Sequence, residues 1–307
     1  MSKLSTAIRL IRTNRGVFLA SVLENLNFLF PDKLYLQLLF RCKMGYWMDL
    51  ENPKSFSEKL QWLKLYNRNP LYTTLVDKYA VKKWVADKIG EENIIPTLGV
   101  WDNANDIDFE KLPNQFVLKT TNGGGGDVVI CKDKSKFDKE GAIKHLNQGL
   151  KKSIYSKLRE WPYKNVPPRI IAEKYMEDEN GQLKDYKFYC FNGRAQVCMV
   201  VSDRFGAGRY DSFDAETFQQ LMFCAKSGKL PEKSNEKPPE NYRQMLTIAN
   251  QLSEGFPHVR IDLYSVNNNI YFGEYTFFDG SGFEKYYPES WDYKFGDWLQ
   301  LPSKRIQ

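Results

Sequence analysis

The sequence predicts an α+β fold, in which strands gather in antiparallel hairpins and helices precede, separate and follow them. Three observations lead there. Asp185 to Val201, DYKFYCFNGRAQVCMVV, sets two runs of strand formers about Asn192-Gly193, the pair that a type I′ hairpin turn favours. His258 to Phe278, HVRIDLYSVNNNIYFGEYTFF, repeats the pattern about Asn267, Asn268 and Asn269, residues that tolerate left-handed backbone. Stretches such as Val76 to Ile89 and Tyr242 to Glu254 carry apolar residues at helical spacing.

Taken in order, residues 5 to 40 alternate basic groups with Leu, Ile, Val and Phe at amphipathic spacing, broken at Pro31. Two readings stay open for this start: a helical lobe packed on the main body, or a basic amphipathic surface on an anionic membrane. Ser55 to Tyr66 predicts a helix with a capping box, since Glu58 follows Ser55 by three. Val76 to Ile89 predicts a helix capped by Asp77 and ended by Gly90, and a short strand is expected near Ile94 to Leu98. Gln115 to Thr121 reads as a strand that runs into Asn122 and four glycines, Gly123 to Gly126, before a second strand, Asp127 to Lys132. Glycine has no side chain to hold a ligand away, and successive N–H groups can turn toward an anion, which suits polyphosphate. The loop is not a P-loop, because no GK[ST] follows. Lys134 to Leu158 is mainly helical, Arg169 to Met176 is a strand, and Phe213 to Pro239 is polar and irregular, with Arg204 and Arg209 about the Gly-rich loop before it.

In the late hairpin, folding about Asn268 places Asp262 opposite Glu274, with Arg260, Asp262 and Tyr264 meeting Phe272, Glu274 and Thr276 on one face. Opposed carboxylates repel unless something positive lies between them. Arg260 can serve, and so can Mg²⁺, which binds through one or two carboxylates plus substrate phosphates. Asp279-Gly280-Ser281-Gly282 then reads as a flexible turn. The aromatic tail, Tyr286 to Trp298, is expected to anchor the terminus to the core.

Composition narrows the chemistry. The 307 residues are 42% hydrophobic, enough for two or three lobes. Five cysteines without CxxC spacing argue against a disulfide framework and for a reducing, cytoplasmic setting. Two histidines exclude a His-rich metal site and disfavour a Ser-His-Asp triad, so catalysis must run on Lys, Arg, Asp and Glu. Residues 1 to 43 hold seven basic groups against two acidic ones, and the rest is nearly neutral, so no broad nucleic-acid surface is indicated. Without a run of 18 apolar residues or a signal-type core, the chain is expected to be soluble or peripheral at a membrane.

The order of Asp77-Lys78, Lys119, the glycine loop, Glu173-Lys174-Tyr175-Met176, and Asp262 with Glu274 on a late hairpin resembles the ATP-grasp superfamily over residues 70 to 280. Within it, the whole chain, including FRCKMGYWMDLENPKSFSEKLQWLKLY, resembles the TupA-like ATP-grasp amidoligases of bacterial surface-polysaccharide biosynthesis. The resemblance implies an ATP-grasp fold with a helical extension over 1–70, a first lobe over 71–113, a glycine-loop subdomain over 114–180 and a metal-bearing lobe over 181–307. It implies that Lys78 and Lys119 contact ATP phosphates, that Gly123, Gly124, Gly125 and Gly126 close over the triphosphate, and that Glu173, Tyr175 and Met176 line the adenine hinge. Glu179 would reach the ribose, Asp262 and Glu274 would hold Mg²⁺, and Lys187 and Arg260 would neutralise phosphate or an acyl intermediate. Where relatives carry Asn and Arg after the second acidic ligand, this chain has Thr276 and Phe278, leaving the third metal ligand and the acceptor-orienting residue open.

The implied activity is an ATP-dependent ligase joining an amino acid or other amine to a carboxylated sugar. A glycosyltransferase using Asp106 and Asp108 in a DxD pattern, a non-catalytic nucleotide-binding protein and a kinase are the alternatives.

Overall fold

A computed structural model describes residues 15–124, 126–178, 181, 183–202, 208–225 and 228–303. Helices α1 (Arg15–Asn25), α2 (Asp32–Met44), α3 (Phe56–Tyr66), α4 (Leu71–Val76) and α5 (Ala80–Ile89) come first. Two antiparallel sheets follow. The four-stranded sheet has the order β1-β4-β2-β3, from β1 (Thr97–Trp101), β2 (Phe116–Thr120), β3 (Val128–Cys131) and β4 (Ile170–Lys174). Between β3 and β4 lie α6 (Lys139–Leu150) and α7 (Ile154–Leu158). The five-stranded sheet has the order β7-β6-β5-β8-β9, from β5 (Asp185–Phe191), β6 (Arg194–Ser202), β7 (Arg209–Asp214), β8 (His258–Val266) and β9 (Asn269–Thr276). Helix α8 (Tyr242–Ser253) enters it and α9 (Ser290–Trp298) closes the chain.

Local chemistry accounts for several of these elements. Ser55 Oγ accepts from Glu58 N, and Glu58 Oε2 accepts in return from Ser55 N, the reciprocal capping box that the sequence predicts for α3. Asn192 and Gly193 both take positive φ, as the β5–β6 turn requires. Asp77 does not cap a helix beginning at Val76. Its Oδ1 accepts from the N–H groups of Tyr79 and Ala80, and its Oδ2 pairs with Arg169 at 2.7 Å, so α5 starts at Ala80. The strand expected near Ile94 lies three residues later, as β1, where antiparallel pairing with β4 is available.

The β8–β9 hairpin turns on Asn267 and Asn268, both at positive φ, with Val266 paired to Asn269. That register alone would put Asp262 out of line with Glu274. A shift after Asp262 restores the alignment, so Asp262 faces Glu274 while Leu263 pairs with Phe272 and Tyr264 with Tyr271. Tyr264 therefore does not meet Phe272 as the sequence suggested. Gly273 supplies the extra residue: a Cβ there would lie 3.0 Å from both the Asp262 carbonyl and the Tyr264 ring.

The main core runs from α2 and α3 through the five-stranded sheet to α9. Phe295 of α9 contacts the rings of Phe56, Phe191 and Tyr286, so the aromatic tail anchors the terminus. A separate core of Phe116, Leu118, Ile170, Leu146 and neighbours lies under the four-stranded sheet. A third, small cluster of Ile95, Tyr264 and Val266, with Met176, Leu183 and Tyr271 against it, lies where the sheets approach. An isolated bridge from Ile94 to Phe272 ties the approach.

Candidate active site

Strand alternation presents charged side chains from both sheets to one narrow cleft of about 70 Å³, lined among others by Lys78, Lys82, Lys119, Glu173, Lys187 and Glu274. From the four-stranded sheet, buried Glu173 of β4 receives Lys82 at 2.5 Å on one oxygen and Lys119 of β2 at 2.6 Å on the other. Burial alone would raise the Glu173 pKa, but the two ammonium groups outweigh it and hold the carboxyl below its usual range. Burial likewise pulls Lys119 down, yet Glu173 leaves it above the ordinary lysine value. Lys82 shares the same acid but stays below that value, because desolvation dominates there.

At the glycine loop, Lys78 donates to the Gly123 carbonyl. A Cβ at Gly123 would press on Thr120 Oγ1 and, at 2.8 Å, on Asp127 Oδ2, so this glycine is required by close approach. Gly124 and Gly126 are exposed, and a Cβ would meet only Ile154 Cδ1, at 3.8 Å, beside Gly124 and nothing beside Gly126. Gly125 and Glu179 lie outside the described residues, as does Arg204.

From the five-stranded sheet, Asp262 of β8 is 1% exposed and is the centre of a charge network. Arg260 grips it with Nε 2.7 Å from Oδ1 and NH2 2.8 Å from Oδ2, and Lys187 of β5 donates to the same Oδ2 while pairing with Asp185 at 2.6 Å. The same Arg260 NH2 lies 3.2 Å from Glu274, so the guanidinium spans the opposed carboxylates and offsets their repulsion. Burial would raise the Asp262 pKa, but Arg260 and Lys187 bring it down to about 2 and keep it ionised. Lys187, though desolvated, is raised by Asp262. Asp262 and Glu274 offer hard oxygen donors from paired strands, which fits Mg²⁺ in chemistry. Among the described residues no group of three or more His, Cys, Asp or Glu side chains is arranged to hold a metal ion.

Beside this network opens a cavity of about 750 Å³, whose lining includes Lys187, Arg260, Tyr189, Tyr210, Phe223 and Asp279. Asp279 was expected in a flexible turn. It is buried instead, accepting from Tyr189 Oη at 2.9 Å and from Arg260 NH1. Phe278 is buried in the main core. Asp279, Lys82 and Asp185 thus join the site although none was among the residues expected to bind or react. The i, i+4 spacing of Lys78 and Lys82, and the strand face that Asp185 shares with Lys187, were the available signals.

Tyr175 and Met176 continue directly from β4, where Met176 packs in the small apolar cluster beside the cleft and Tyr175 is buried. Asp106 and Asp108 are exposed. Asp108 caps the turn at Phe109–Lys111 and pairs with Lys111, and neither acid lines either cavity.

The sequence model of the family described as TupA-like ATPgrasp matches residues 58–300. Among solved structures, the chain is similar to D-alanine–D-alanine ligase from Bacillus anthracis complexed with ATP, at 15% identity and a TM-score of 0.38, covering 66% of this chain and 53% of that one. It is similar to an L-amino acid ligase from Bacillus licheniformis at 13% identity and a TM-score of 0.43, covering 74% and 49%. A D-alanine–D-alanine ligase from Helicobacter pylori is similar at 16% identity and a TM-score of 0.42, covering 80% and 70%. The chain spans about half the length of the first two. No curated protein sequence matches it significantly.

Proposed function

Because the chain belongs to the TupA-like ATP-grasp family, we propose that it is an ATP-dependent carboxylate–amine ligase that joins an amino acid or other amine to a hexuronate-type sugar of a surface polysaccharide. One juxtaposition carries this reading: the lysine-rich face about Glu173 meets Asp185, Lys187 and Glu274 across a single cleft, and Lys187, with Arg260, also lines a separate cavity large enough for a second substrate.

The nucleotide enters between the sheets. Its adenine reaches the apolar end formed by Met176 and Tyr175, with Glu173 at the hinge and Glu179 on the ribose. Its phosphates lie on Lys78, Lys119 and the backbone of the loop Gly123 to Gly126. A cleft of about 70 Å³ is well below the roughly 300–1,000 Å³ of ordinary ligand pockets, so binding requires the two sheets to part. The lysines that hold Glu173 then have phosphate oxygens as competing partners.

The acyl substrate lies in the larger cavity, where exposed Tyr210 offers an aromatic ring to a sugar and Lys187 and Arg260 meet its carboxylate. A carboxylate oxygen attacks the γ-phosphorus, the bond to the bridging oxygen breaks and ADP leaves, giving an acyl phosphate. The amine nitrogen then attacks the acyl carbon, phosphate departs and the nitrogen loses a proton. Lys187 and Arg260 neutralise the two approaching anions and then the acyl phosphate. Asp262 and Glu274 would hold Mg²⁺, which when bound supplies charge neutralisation on the phosphates.

Calorimetric titration with a non-hydrolysable ATP analogue and with UDP-sugars, each with and without Mg²⁺, together with an ADP-release assay on ATP itself, tests the reading. The expected result is Mg²⁺-dependent binding of the ATP analogue and ADP release only when a uronic acid and an amine are both supplied. Sugar-nucleotide binding with no response to ATP would overturn it.

A further inference from the structure

The described surface carries its apolar exposure unevenly. Of the sixteen exposed large apolar side chains, seven fall within residues 17–34. On α1, Arg15, Leu19 and Val22 recur at i, i+4 and i+7, which places them on one stripe that Leu26, just past the helix, continues, and all four are exposed. The side of the helix adjoining this stripe is used for packing: Ala20 is buried and Leu23 lies against the core. Past the helix, Phe28 is 75% exposed and Leu29 61%, and Leu34 at the start of α2 is exposed as well. Side chains of this size standing in water at such density mark an interaction surface.

Charge identifies the partner. Both acidic residues of the first 43 are already neutralised, Glu24 by Lys43 at 2.8 Å and Asp32 by Arg68 and Arg159, each at 2.9 Å. Arg15, Lys33 and Arg41 are exposed on the same segment, and the sequence places Lys3, Arg9 and Arg12 just before it, while the remainder of the chain is nearly neutral. Among the described residues no helix is long and apolar enough to cross a membrane. We infer that α1, the turn through Phe28 and Leu29, and the start of α2 form an interfacial docking surface for an anionic lipid bilayer. Leu19, Val22, Leu26, Phe28 and Leu29 enter the headgroup boundary, and the basic groups meet lipid phosphates.

The surface lies outside the residues assigned to nucleotide and substrate, so its test needs no turnover and fails or succeeds apart from the ligase reading. Flotation of the full chain with phosphatidylcholine vesicles, with and without phosphatidylglycerol, measures it. The expected result is binding to the anionic vesicles only, weakened by salt. Phe28→Asp with Leu29→Asp, and separately Arg15→Glu with Lys33→Glu, are each expected to lower the affinity about tenfold or more. Both pairs are solvent-exposed, and an unchanged melting temperature verifies that the variants fold. Absence of flotation with anionic vesicles overturns the inference. So does a concentration-dependent dimer that Phe28→Asp with Leu29→Asp dissociates, since a second copy would then cover the surface.

Discussion

Asp262 and Glu274 stand opposite one another on paired strands, yet their surroundings make them unequal. Asp262 is enclosed and receives Arg260 and Lys187, whereas the Glu274 side chain is 42% exposed and meets only the edge of Arg260. Removing the buried anion leaves cations without their partner, which is far costlier than trimming a half-solvated one. Asp262→Ala is therefore expected to lose roughly 3 kcal/mol of stability, while Glu274→Gln stays within about 0.5 kcal/mol of the parent. Both are expected to lower turnover roughly a hundredfold or more. Urea unfolding and an ADP-release assay on the two variants check this. Equal stability loss in both would contradict the buried network, and full activity in Glu274→Gln would remove it from the metal site.

At the scale of elements, the helical start of the chain supports the site directly. Gln61 of α3 donates to the carbonyls of Ser281 at 3.0 Å and Gly282 at 2.9 Å, and Lys64 donates to the Ser281 carbonyl and hydroxyl at 2.8 and 2.9 Å. These bonds hold the segment Asp279–Gly282, whose Gly280, Ser281 and Gly282 all take positive φ. The segment carries Asp279, which orients Arg260 toward the larger cavity. Gln61 is accordingly a positioning residue. Gln61→Ala is expected to cost about 1–2 kcal/mol and, by loosening Arg260, to lower kcat about tenfold with little change in the KM for ATP. Steady-state kinetics separates the two: an effect confined to the ATP KM would contradict the route through Asp279.

The whole molecule responds to pH through groups the site does not use. His258 of β8 is fully enclosed between Phe56 and Phe191, with Nδ1 2.9 Å from the Cys190 carbonyl and no partner for Nε2. Burial pushes its pKa from 6.5 down to about 4, against the pull of Asp279. A folded pKa below the unfolded one means the neutral form is bound in the fold. This stability is complete above pH 6.5 and is lost as pH falls toward 4, by roughly 3 kcal/mol at 1.36 kcal/mol per pKa unit. Asp292 of α9 acts in the opposite direction. Burial raises its pKa to about 6 despite two bonds from Ser57, so its contribution is complete below pH 3.8 and fades as pH rises through 6. The two partly cancel in the parent. The difference in unfolding free energy between the parent and His258→Leu is expected to fall across pH 6.5 to 4, and a flat difference would contradict the neutral histidine.

What the sequence determined by itself was local or compositional. Asn192-Gly193 and the Asn267-Asn268 pair specify turns because only a few residues tolerate positive φ, and Ser55 with Glu58 specifies a helix start because both hydrogen bonds lie within one turn. The family is legible for a related reason: its markers are residue types in a set order, which needs no knowledge of distance. Tertiary structure alone decided the rest. Arg209–Asp214 runs, as a sequence, from the edge of a Gly-rich loop into the irregular stretch that starts at Phe213, and becomes strand β7 because β6 offers its backbone groups partners. Glu173 meets Lys82 and Lys119, separated from it by 91 and 54 positions, because β4 lies between β1 and β2. The pairing of Asp262 with Glu274 was legible, but the register shift at Gly273 that produces it was not, and Asp279 becomes a buried ion-pair partner through helix α3, over two hundred positions away. Charge pairing and burial act through space, and only the folded chain sets those separations.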